Sequence, residues 1–464
     1  MKLHGVMFLG IFALFGSPAA GREVLDESVV ESFLNEANPY VYTAVGQQYV
    51  AQARAEATAG EFDTRLGLRY DNKRYPVSDG VFTDVFVEKP TESGMEFLLG
   101  YRKAEGVQEY NNIKTGDEGE MRVGIKVPVF ALFEGMNARK YRLRSASLEA
   151  VQSGYMASDN LRHLRFDVFS AYYTLLYSHQ AVALESDILE RARLRAAYVS
   201  GKVEAGALPA IERLEVRRQI LNREQRLLEA ETAYETQLGS FLRYLGVSRD
   251  TFETRYTLPP LPADTFGEPS YETALQHALE YRPDLKTLRY ETDRLDLRND
   301  YIAVEKYPRF NVALYGVHDF EYDNGFKVSV DMDFPIERRG YQGRKSEIQK
   351  GKRAVEEALL RKRTDIGVQL SNRLKSLRAL RVNLKNAEEE IEVARQLEAA
   401  EIKKFRLGAG DLMLVNQREL VTLEARIRKL SYHLRLMLSG LEIQRETGGR
   451  IGAHALSAEE GVMQ

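Results

Sequence analysis

The spacing of proline most constrains how this chain can fold. No proline occurs between Pro128 and Pro209, and none follows Pro335 in the sequence of 464 residues. The stretches without proline are rich in Ala, Leu, Glu, Arg and Lys, which favour helices, whereas proline breaks them. About 65 to 70 residues from Gly135 to Ala205 would form a helix on the order of 100 Å long. The chain therefore predicts helices far longer than those of an ordinary globular domain.

Apolar residues recur at steps of three and four within these stretches, which is the spacing of a coiled-coil seam. The clearest seams lie on either side of Gly408 and Gly410, and comprise Leu370, Leu374, Leu377, Leu380, Leu384, Ala387, Ile391, Ala394 and Leu397, then Leu420, Leu423, Ile427, Leu430, Leu434, Met437 and Leu441. A looser pattern flanks the break at 201–209, with Leu161, Leu164, Val168, Ala171 and Leu175, then Leu214, Leu221 and Leu228. Each break between two seams predicts an antiparallel helical hairpin, over about 135–246 and about 340–446.

Four segments alternate apolar and polar residues with the period of a β-strand. They span about 62–70, 120–128, 309–318 and 326–334, and Asp323-Asn324-Gly325 predicts a tight turn before the last one. An apolar face opposite a charged face over about 8 to 10 residues is typical of a transmembrane β-barrel. A half-buried sheet in a water-soluble protein shows the same alternation, so the strands alone leave both interpretations open.

The order strand, strand, long helix, glycine break, long helix occurs twice. It defines a first structural repeat at 61–257 and a second at 271–447, joined by a Pro-rich linker at 258–270. Tyr198 to Gly201 corresponds to Phe405 to Gly408 at the two breaks. Residues 77–119 have no counterpart in the second repeat, so we expect a surface-loop insertion there. We also expect an N-terminal helical segment at 21–60 and a flexible C-terminal tail at 448–464.

The first residues indicate export from the cytoplasm. Lys2 precedes an apolar stretch and then the small residues of a cleavage site, so residues 1–20 predict a secretory signal peptide. The chain has no cysteine, which excludes a disulfide framework and a thiolate nucleophile. A net charge of −3 provides no basic face for nucleic acid. No later segment is apolar enough for a transmembrane helix, so a membrane-embedded form would have to be a β-barrel.

This ordered set of features resembles the TolC-type outer membrane efflux proteins (outer membrane factors). The set consists of a signal peptide, a duplicated strand–strand–helix–helix unit and an aromatic-x-x-Gly at each hairpin tip. Residues 405–420 (FRLGAGDLMLVNQREL) closely resemble a common form of the second tip, and residues 281–285 (YRPDL) resemble the segment that opens the second half. The resemblance covers roughly residues 30 to 445.

The resemblance implies a mainly α fold with a β part, assembled as a homotrimer. Four strands from each chain would form a 12-stranded transmembrane β-barrel, continued by a periplasmic α-helical barrel. The trimer would lie in the lipid of the cell outer membrane and extend into the periplasm. It would be the exit duct of a tripartite efflux or type I secretion system, supplied by an inner-membrane pump through a periplasmic adaptor (membrane fusion) protein. Independently, four strands are too few to close a barrel, which also calls for oligomerisation.

The hairpin tips are the first candidate site. The resemblance implies that Tyr198, Gly201, Phe405 and Gly408 contact the adaptor protein. Glycine allows helix ends to approach closely and permits a left-handed turn. The alternative is that these glycines only turn the chain, with the aromatic rings packed beneath them.

The start of the last helix provides the candidates for a pore constriction. Family members often place acidic residues one to three turns past the second-tip glycine, but here Leu414 and Gln417 occupy those positions. Asp411 could form a ring that favours cations. It could also cap the returning helix, which is the interpretation that we favour. A hydrophobic ring of Leu414 is then a further hypothesis for closure.

The strands provide candidates for the barrel lumen, namely Arg122, Lys126, Asp331 and Asp333. Catalysis is not expected, because the histidines are scattered and no phosphate-binding glycine loop follows a strand. We therefore expect no catalytic residue, no bound cofactor and no metal.

The competing hypothesis is a periplasmic coiled-coil structural or adaptor-like protein without a membrane barrel. It does not account for the duplicated amphipathic strands. Nor does it explain the aromatic residues near strand ends, where membrane aromatic belts lie: Tyr70, Tyr315, Tyr322 and Phe326. The sequence leaves open whether the cargo is a small toxic compound, a metal or a polypeptide.

Overall fold

The computed structural model describes residues 22–75, 78–106 and 114–449. The signal peptide expected at 1–20 and nearly all of the tail expected at 448–464 lie outside the described residues. The chain forms two compact units. The first unit comprises Met1–Asn38, Asp167–Thr265 and Ala379–Leu438, and the second comprises Pro39–Phe166, Phe266–Arg378 and Ser439–Gln464.

Helices make up most of the described chain. In order they are α1 (Glu27–Ser32), α2 (Pro39–Ala59), α3 (Val129–Phe133), α4 (Ala138–Glu204), α5 (Ile211–Leu245), α6 (Arg249–Arg255), α7 (Tyr271–Tyr281), α8 (Pro283–Ala303), α9 (Arg339–Arg406) and α10 (Leu412–Thr447). Helices α4 and α9 contain 67 and 68 residues, in agreement with the long proline-free stretches. None of the helices in the described part of the chain is both long enough and apolar enough to cross a membrane.

Eight strands accompany the helices within the described ranges. They are β1 (Glu23–Val24), β2 (Arg65–Tyr75), β3 (Ser78–Pro90), β4 (Glu96–Gly106), β5 (Glu120–Pro128), β6 (Tyr256–Thr257), β7 (Arg309–Asp319) and β8 (Asp323–Asp333). Strands β1 and β6 form a short parallel pair in the first unit. The other six form one antiparallel sheet in the second unit, in the order β2-β3-β4-β5-β7-β8.

The six-stranded sheet corrects two expectations from the sequence. The chain forms six strands of this sheet rather than four, and the expected surface-loop insertion at 77–119 contains the hairpin of β3 and β4. The alternation was missed because Phe82 and Phe86 lie on the same face as Asp84, which hides the period of two.

The turn between β7 and β8 lies earlier in the chain than the sequence predicts. It spans residues 320–322, where the Asp319 carboxylate accepts hydrogen bonds from two backbone N–H groups, and 323–325 belong to β8.

The two faces of the sheet differ sharply in polarity. The register is continuous across all five strand pairs, so alternate residues share a face throughout. We call one the apolar face; its exposed large apolar side chains, 37 to 82% exposed, are Leu66, Leu68, Tyr70, Val85, Val87, Phe97, Leu99, Tyr101, Met121, Val123, Leu314, Phe326, Val328, Val330 and Met332. The opposite, polar face carries most of the charged residues of the strands. An extensive apolar surface on one side of the sheet therefore has no cover within the described chain.

The long helices bury most of the seam predicted in the second half but not all of that predicted in the first. Leu370, Leu374 and Leu377 of α9 are at most 3% exposed. On α5, by contrast, Leu214, Leu221 and Leu228 are 65, 56 and 63% exposed, and the helix buries Val216, Leu238, Phe241, Leu242 and Leu245 instead. These three leucines, which the sequence predicts in a seam, therefore remain more than half exposed within the described residues.

The N-terminal segment is held against α4 by two tyrosines in the first unit. The hydroxyl of Tyr172 donates to the backbone carbonyl of Leu25 over 2.6 Å, and that of Tyr173 donates to the Glu27 carboxylate over 2.7 Å. Burial raises the pKa of Tyr172, so its hydroxyl remains a donor at any ordinary pH. Leu25 and Val30 are fully buried beside them, which fixes the start of the described chain.

A buried ion cluster joins α8 to the end of α10 in the second unit. Arg282, in the YRPDL segment, donates to the Asp284 carboxylate over 3.0 and 2.8 Å and to the Glu446 carboxylate over 2.5 Å. The Arg282 side chain is 5% exposed and the two acids are 16 and 10% exposed. Lys362 forms a further ion pair with Asp284 at 2.8 Å. Because removal of one partner leaves buried charge unpaired, this cluster should dominate the stability of its surroundings.

We expect Arg282→Met to destabilise the protein by about 3 to 5 kcal/mol, because it leaves the Asp284 and Glu446 carboxylates buried without their main partner. The matched control is Arg298→Met on α8, the helix that begins directly after Arg282. Its exposed ion pair with Glu347 should be worth at most about 1 kcal/mol. Denaturant unfolding of the purified protein, followed by circular dichroism, measures both. Equal effects of the two substitutions would contradict a special role for the Arg282 cluster.

The same cluster predicts acid sensitivity. Burial of Asp284 and Glu446 opposes their ionisation, but the hydrogen bonds from Arg282 outweigh it and lower the pKa of both carboxyls. A lowered pKa in the folded state stabilises the protein above the ordinary pKa, and this contribution is lost as the pH falls. We therefore expect the melting temperature to decrease once the pH is lower than about 4. In Arg282→Met this acid-induced fall should be smaller, and an unchanged pH profile would contradict the assignment.

Candidate functional site: the hairpin tips and the polar face of the sheet

Both hairpin tips end their first helix with the same glycine cap. At the first tip, the N–H groups of Gly206 and Ala207 donate to the carbonyls of Val203 and Lys202 over 3.0 and 2.8 Å. At the second, Gly408 and Ala409 donate to Phe405 and Lys404 over 3.0 Å in each case. The two glycines have φ of +69° and +73°. This left-handed cap satisfies the last carbonyls of α4 and α9 and reverses the chain.

The cap changes the correspondence between the two tips. The sequence pairs Gly201 with Gly408, whereas the structure places the left-handed glycine of the first tip at Gly206. Gly201 lies inside the last turns of α4, and a Cβ added there would meet no atom within 4 Å. The aromatic-x-x-Gly spacing is shared by both tips, but only hydrogen-bond geometry identifies which glycine turns the chain.

The two tips pack against each other within the first unit. Val199, Val216 and Leu412 form a buried core, here called the tip cluster, and Phe405 packs against it. The rings of Tyr198 and Phe405 lie edge to face with centroids 6.1 Å apart. Tyr198 remains 44% exposed, and the Lys202 ammonium lies 5.7 Å from its ring centroid. The predicted aromatic pair is therefore brought together in the structure, half packed and half accessible.

Of the predicted constriction residues, Leu414 and Gln417 lie on the first two turns of α10, and Asp411 directly precedes that helix. The Asp411 carboxylate accepts a hydrogen bond from the Met413 backbone N–H over 2.9 Å, which is the geometry of a helix N-cap. Leu414 is 44% exposed and Gln417 is also exposed, three residues apart on one helical face. Leu407 is 74% exposed at the tip, and neither its type nor its spacing distinguished it in the sequence.

An ion pair next to these residues joins α10 to α4. Arg195 pairs with Glu419 and donates to the Asn416 side-chain oxygen over 2.8 Å. Both charged side chains are only 14% exposed, and burial lowers the pKa of Arg195. No sequence signal identified this link, because its partners are more than two hundred residues apart. It fixes the rotation of α10, and thereby where Leu414 and Gln417 point.

The four predicted lumen residues all lie on the polar face of the sheet, in the second unit. Arg122 on β5 pairs with Asp84 on β3, and these side chains are 12 and 8% exposed. Lys126 lies 3.4 Å from Glu96. On β8, Asp333 pairs with Arg309 at 2.5 Å, and Asp331 is exposed. Two of the partners, Asp84 and Glu96, come from the segment expected to be a loop, so the sequence did not reveal this network.

The aromatic residues expected in a belt divide between the two faces. Tyr70 and Phe326 lie on the apolar face, where they are 61 and 82% exposed. Tyr315 lies on the polar face instead, where its ring covers Gly124 so closely that a methyl group there would collide with it. Tyr322 lies in the turn before β8 and is 68% exposed. In the described part of the chain, no group of acidic and histidine side chains is arranged to hold a metal ion.

The fold is similar to that of several outer membrane channels. A membrane protein from Pseudomonas aeruginosa matches with a TM-score of 0.69 and 12% identity, over 92% of this chain and 91% of that chain. The outer membrane protein VceC from Vibrio cholerae matches with 0.67 and 12%, over 91% and 96%. The Campylobacter jejuni CmeC outer membrane channel matches with 0.66 and 12%, over 92% and 86%. No protein-family model matches the chain, and no curated protein sequence matches it. The chain has the fold of these channels.

Alanine substitutions at Gly408 and Gly201 distinguish the glycine that caps a helix from the glycine that only matches the sequence spacing. Gly408→Ala should destabilise the protein by about 1 kcal/mol, because alanine is strained at positive φ. Gly201→Ala should stabilise it by about 0.5 to 1 kcal/mol, since alanine is the better residue inside a helix. Thermal unfolding of both variants measures the difference. A loss of stability in Gly201→Ala would restore Gly201 as the turning glycine and contradict the cap at Gly206.

Proposed function

We propose that this chain is one protomer of a homotrimeric outer membrane duct that extends into the periplasm. It acts as a passive conduit for cargo delivered by an inner-membrane pump through a periplasmic adaptor protein, in a tripartite efflux or type I secretion system. The observation that carries the proposal is the antiparallel sheet with one exposed apolar face and one ion-paired polar face. The fold it shares with outer membrane channels supports the same conclusion.

The apolar face fits contact with lipid. Its 15 exposed large apolar side chains, 37 to 82% exposed, extend over all six strands, and exposed apolar patches of this size are rare on soluble monomers. Contact of this face with lipid would stabilise the protein by roughly 25 cal/mol for each Å² of apolar surface removed from water. The opposite face, with Arg122, Lys126, Asp331 and Asp333, would then face an aqueous lumen inside a barrel.

The helical part fits assembly with further copies. Leu214, Leu221 and Leu228 repeat every seven residues along α5 and remain more than half exposed. Such a stripe is an unfilled coiled-coil seam. In a trimer, helices of neighbouring copies would cover these leucines, and the helical hairpins would together enclose the periplasmic continuation of the duct.

The hairpin tips are the proposed site of adaptor contact. Tyr198 and Phe405 are only partly packed, and Gly201, Gly408 and the exposed Leu407 lie beside them. On α10, we propose that Leu414 and Gln417 narrow the pore, with Asp411 serving mainly as the helix cap that orients them. A duct of this kind performs no catalysis and requires no cofactor, and the pump would select the cargo.

Substitutions at two adjacent positions on β8 test the proposed contact of the apolar face with lipid. Val330→Arg, on the apolar face, should lower stability in the membrane by about 2 to 4 kcal/mol, because it exposes a charge to lipid. Asp331→Arg, on the polar face, should change it by about 0.5 kcal/mol or less. The yield of folded protein in the outer membrane fraction, compared for the two variants, is the measurement. Equal yields would mean that the apolar face does not contact lipid.

Electron microscopy of the detergent-solubilised protein tests the whole assembly. Hollow particles with threefold end views would support the duct. Monomers or thin rods released from the periplasm without detergent would contradict it, and would favour the alternative of a periplasmic coiled-coil structural or adaptor-like protein.

A further inference from the structure

We propose that the assembled protein closes a single sheet to which each copy contributes all six strands, 18 strands in a trimer. Strand β8 of one copy pairs antiparallel with β2 of the next copy, with Arg65 opposite Asp333 and Asp71 opposite Lys327. This inference rests on the proposed function for the number of copies. The strand count and the pairing of the edges follow from this chain.

The hairpin of β3 and β4 is an integral part of the sheet. On the polar face, Asp84 of β3 pairs with Arg122 of β5, and Arg102 of β4 pairs with Glu120 of β5. These four side chains are all at most 13% exposed. Breaking such buried pairs is costly. The hairpin therefore cannot leave the sheet as a surface loop without exposing or separating charges that it now buries.

Phe86 holds the hairpin of β3 and β4 against strand β2, its neighbour on the side away from β5. Its ring on β3 covers Gly67 of β2 and its backbone packs against Gly100 of β4, so closely that a Cβ on either glycine would collide with it. Strand β2 is thus joined to the sheet through β3, and β3 through β4 and β5. A smaller wall of four strands would require β2 to pair directly with β5, from which it is separated here by two strands.

The two edge strands of the sheet, β2 and β8, match in length and in direction for antiparallel pairing. Both β2 and β8 contain 11 residues, and neither contains proline, so every backbone N–H can donate to a neighbour. Long edges of this kind are normally paired or covered. Six antiparallel strands run alternately up and down, so β8 runs opposite to β2. A second copy can therefore continue the alternation without a break.

One register pairs the two edges along their full length. With Arg65 opposite Asp333, the apolar residues Leu66 and Leu68 face Met332 and Val330. On the polar face, opposite charges then meet at both ends, Arg65 with Asp333 and Asp71 with Lys327. Opposite charges and apolar pairs across neighbouring strands each contribute roughly 0.2 to 1 kcal/mol. A shift of two residues that brings Arg65 opposite Asp331 would place Arg69 against Lys327.

The consequence is a wider barrel than the sequence alone predicts. Barrel diameter grows roughly linearly with strand number, so 18 strands give a bore about half again as wide as 12. Barrels of about 16 to 18 strands leave an aqueous channel. The membrane part of the duct would then not limit the size of the cargo, and the narrowest point would lie among the helices.

Disulfide cross-linking tests the edge pairing, since the chain has no cysteine of its own. The pair Arg69→Cys and Ser329→Cys is opposite in the proposed register. Within one copy these positions lie on opposite edges, about 24 Å apart along the sheet, whereas a disulfide requires Cα atoms within about 7 Å. Any bridge must therefore join two copies. Oxidation in outer membranes should give covalent dimers and trimers on a non-reducing gel.

Two controls test the register and one tests specificity. Combining Arg69→Cys with Lys327→Cys or with Asp331→Cys shifts the pair by two residues, and the yield should fall at least about fivefold because the sulfurs no longer meet. Arg69→Cys alone should give no covalent multimer. Equal yields in all three pairs would overturn the register.

Electron cryomicroscopy of the same preparation counts the strands. Eighteen strands, with β3 and β4 in the wall, is the expected result. Threefold particles with 12 strands and residues 78–106 outside the wall would overturn this inference while leaving the duct intact. The absence of threefold membrane particles would overturn the proposed function itself, so the two failures can be told apart.

Discussion

The strict alternation of side chains across six strands is the constraint on which the rest of the structure depends. Because the register runs without interruption, a residue's position in the sequence decides whether it lies on the apolar or the polar face. The inner strands of the polar face pair buried charges within the chain, as in the pairs Arg122–Asp84 and Arg102–Glu120. The apolar face has no such solution within the described residues. The inner strands of the sheet therefore pair their buried charges within the chain, whereas the described residues leave the apolar face uncovered.

A different constraint applies to the tips of the helical hairpins. The last backbone carbonyl groups of the first helix need hydrogen-bond donors where the chain reverses. Both tips use a left-handed glycine, Gly206 or Gly408, to pair the final carbonyls. The tip cluster then fixes the two caps to each other. The ion pair of Arg195 on α4 with Glu419 on α10 then sets the rotation of α10. The exposed residues at the tip thus stand on a rigid base, as a docking or gating surface needs.

Much of the fold could be predicted from sequence, and the failures share a physical origin. Proline spacing and the three-four period identified the long helices, because both are properties of a single segment. The hairpin of β3 and β4 was missed because Phe82 and Phe86 lie on the polar face with Asp84, which disguises the alternation. The ring of Phe86 covers Gly67 there. The clusters at Arg282 and Arg195 were missed because each links residues more than 160 positions apart. Local patterns reveal elements, whereas pairing between distant charges depends on how those elements pack.

The exposed leucines of α5 show what a heptad pattern can and cannot decide. A seam in the sequence predicts that an apolar stripe will be covered, but the same spacing serves a partner in the same chain or in another copy. Leu370 and Leu374 are buried by their own chain, whereas Leu214 and Leu221 remain more than half exposed. The free edges of β2 and β8 pose the same alternative for the sheet. Helix and sheet therefore independently leave surfaces of the kind that another copy of the chain would complete.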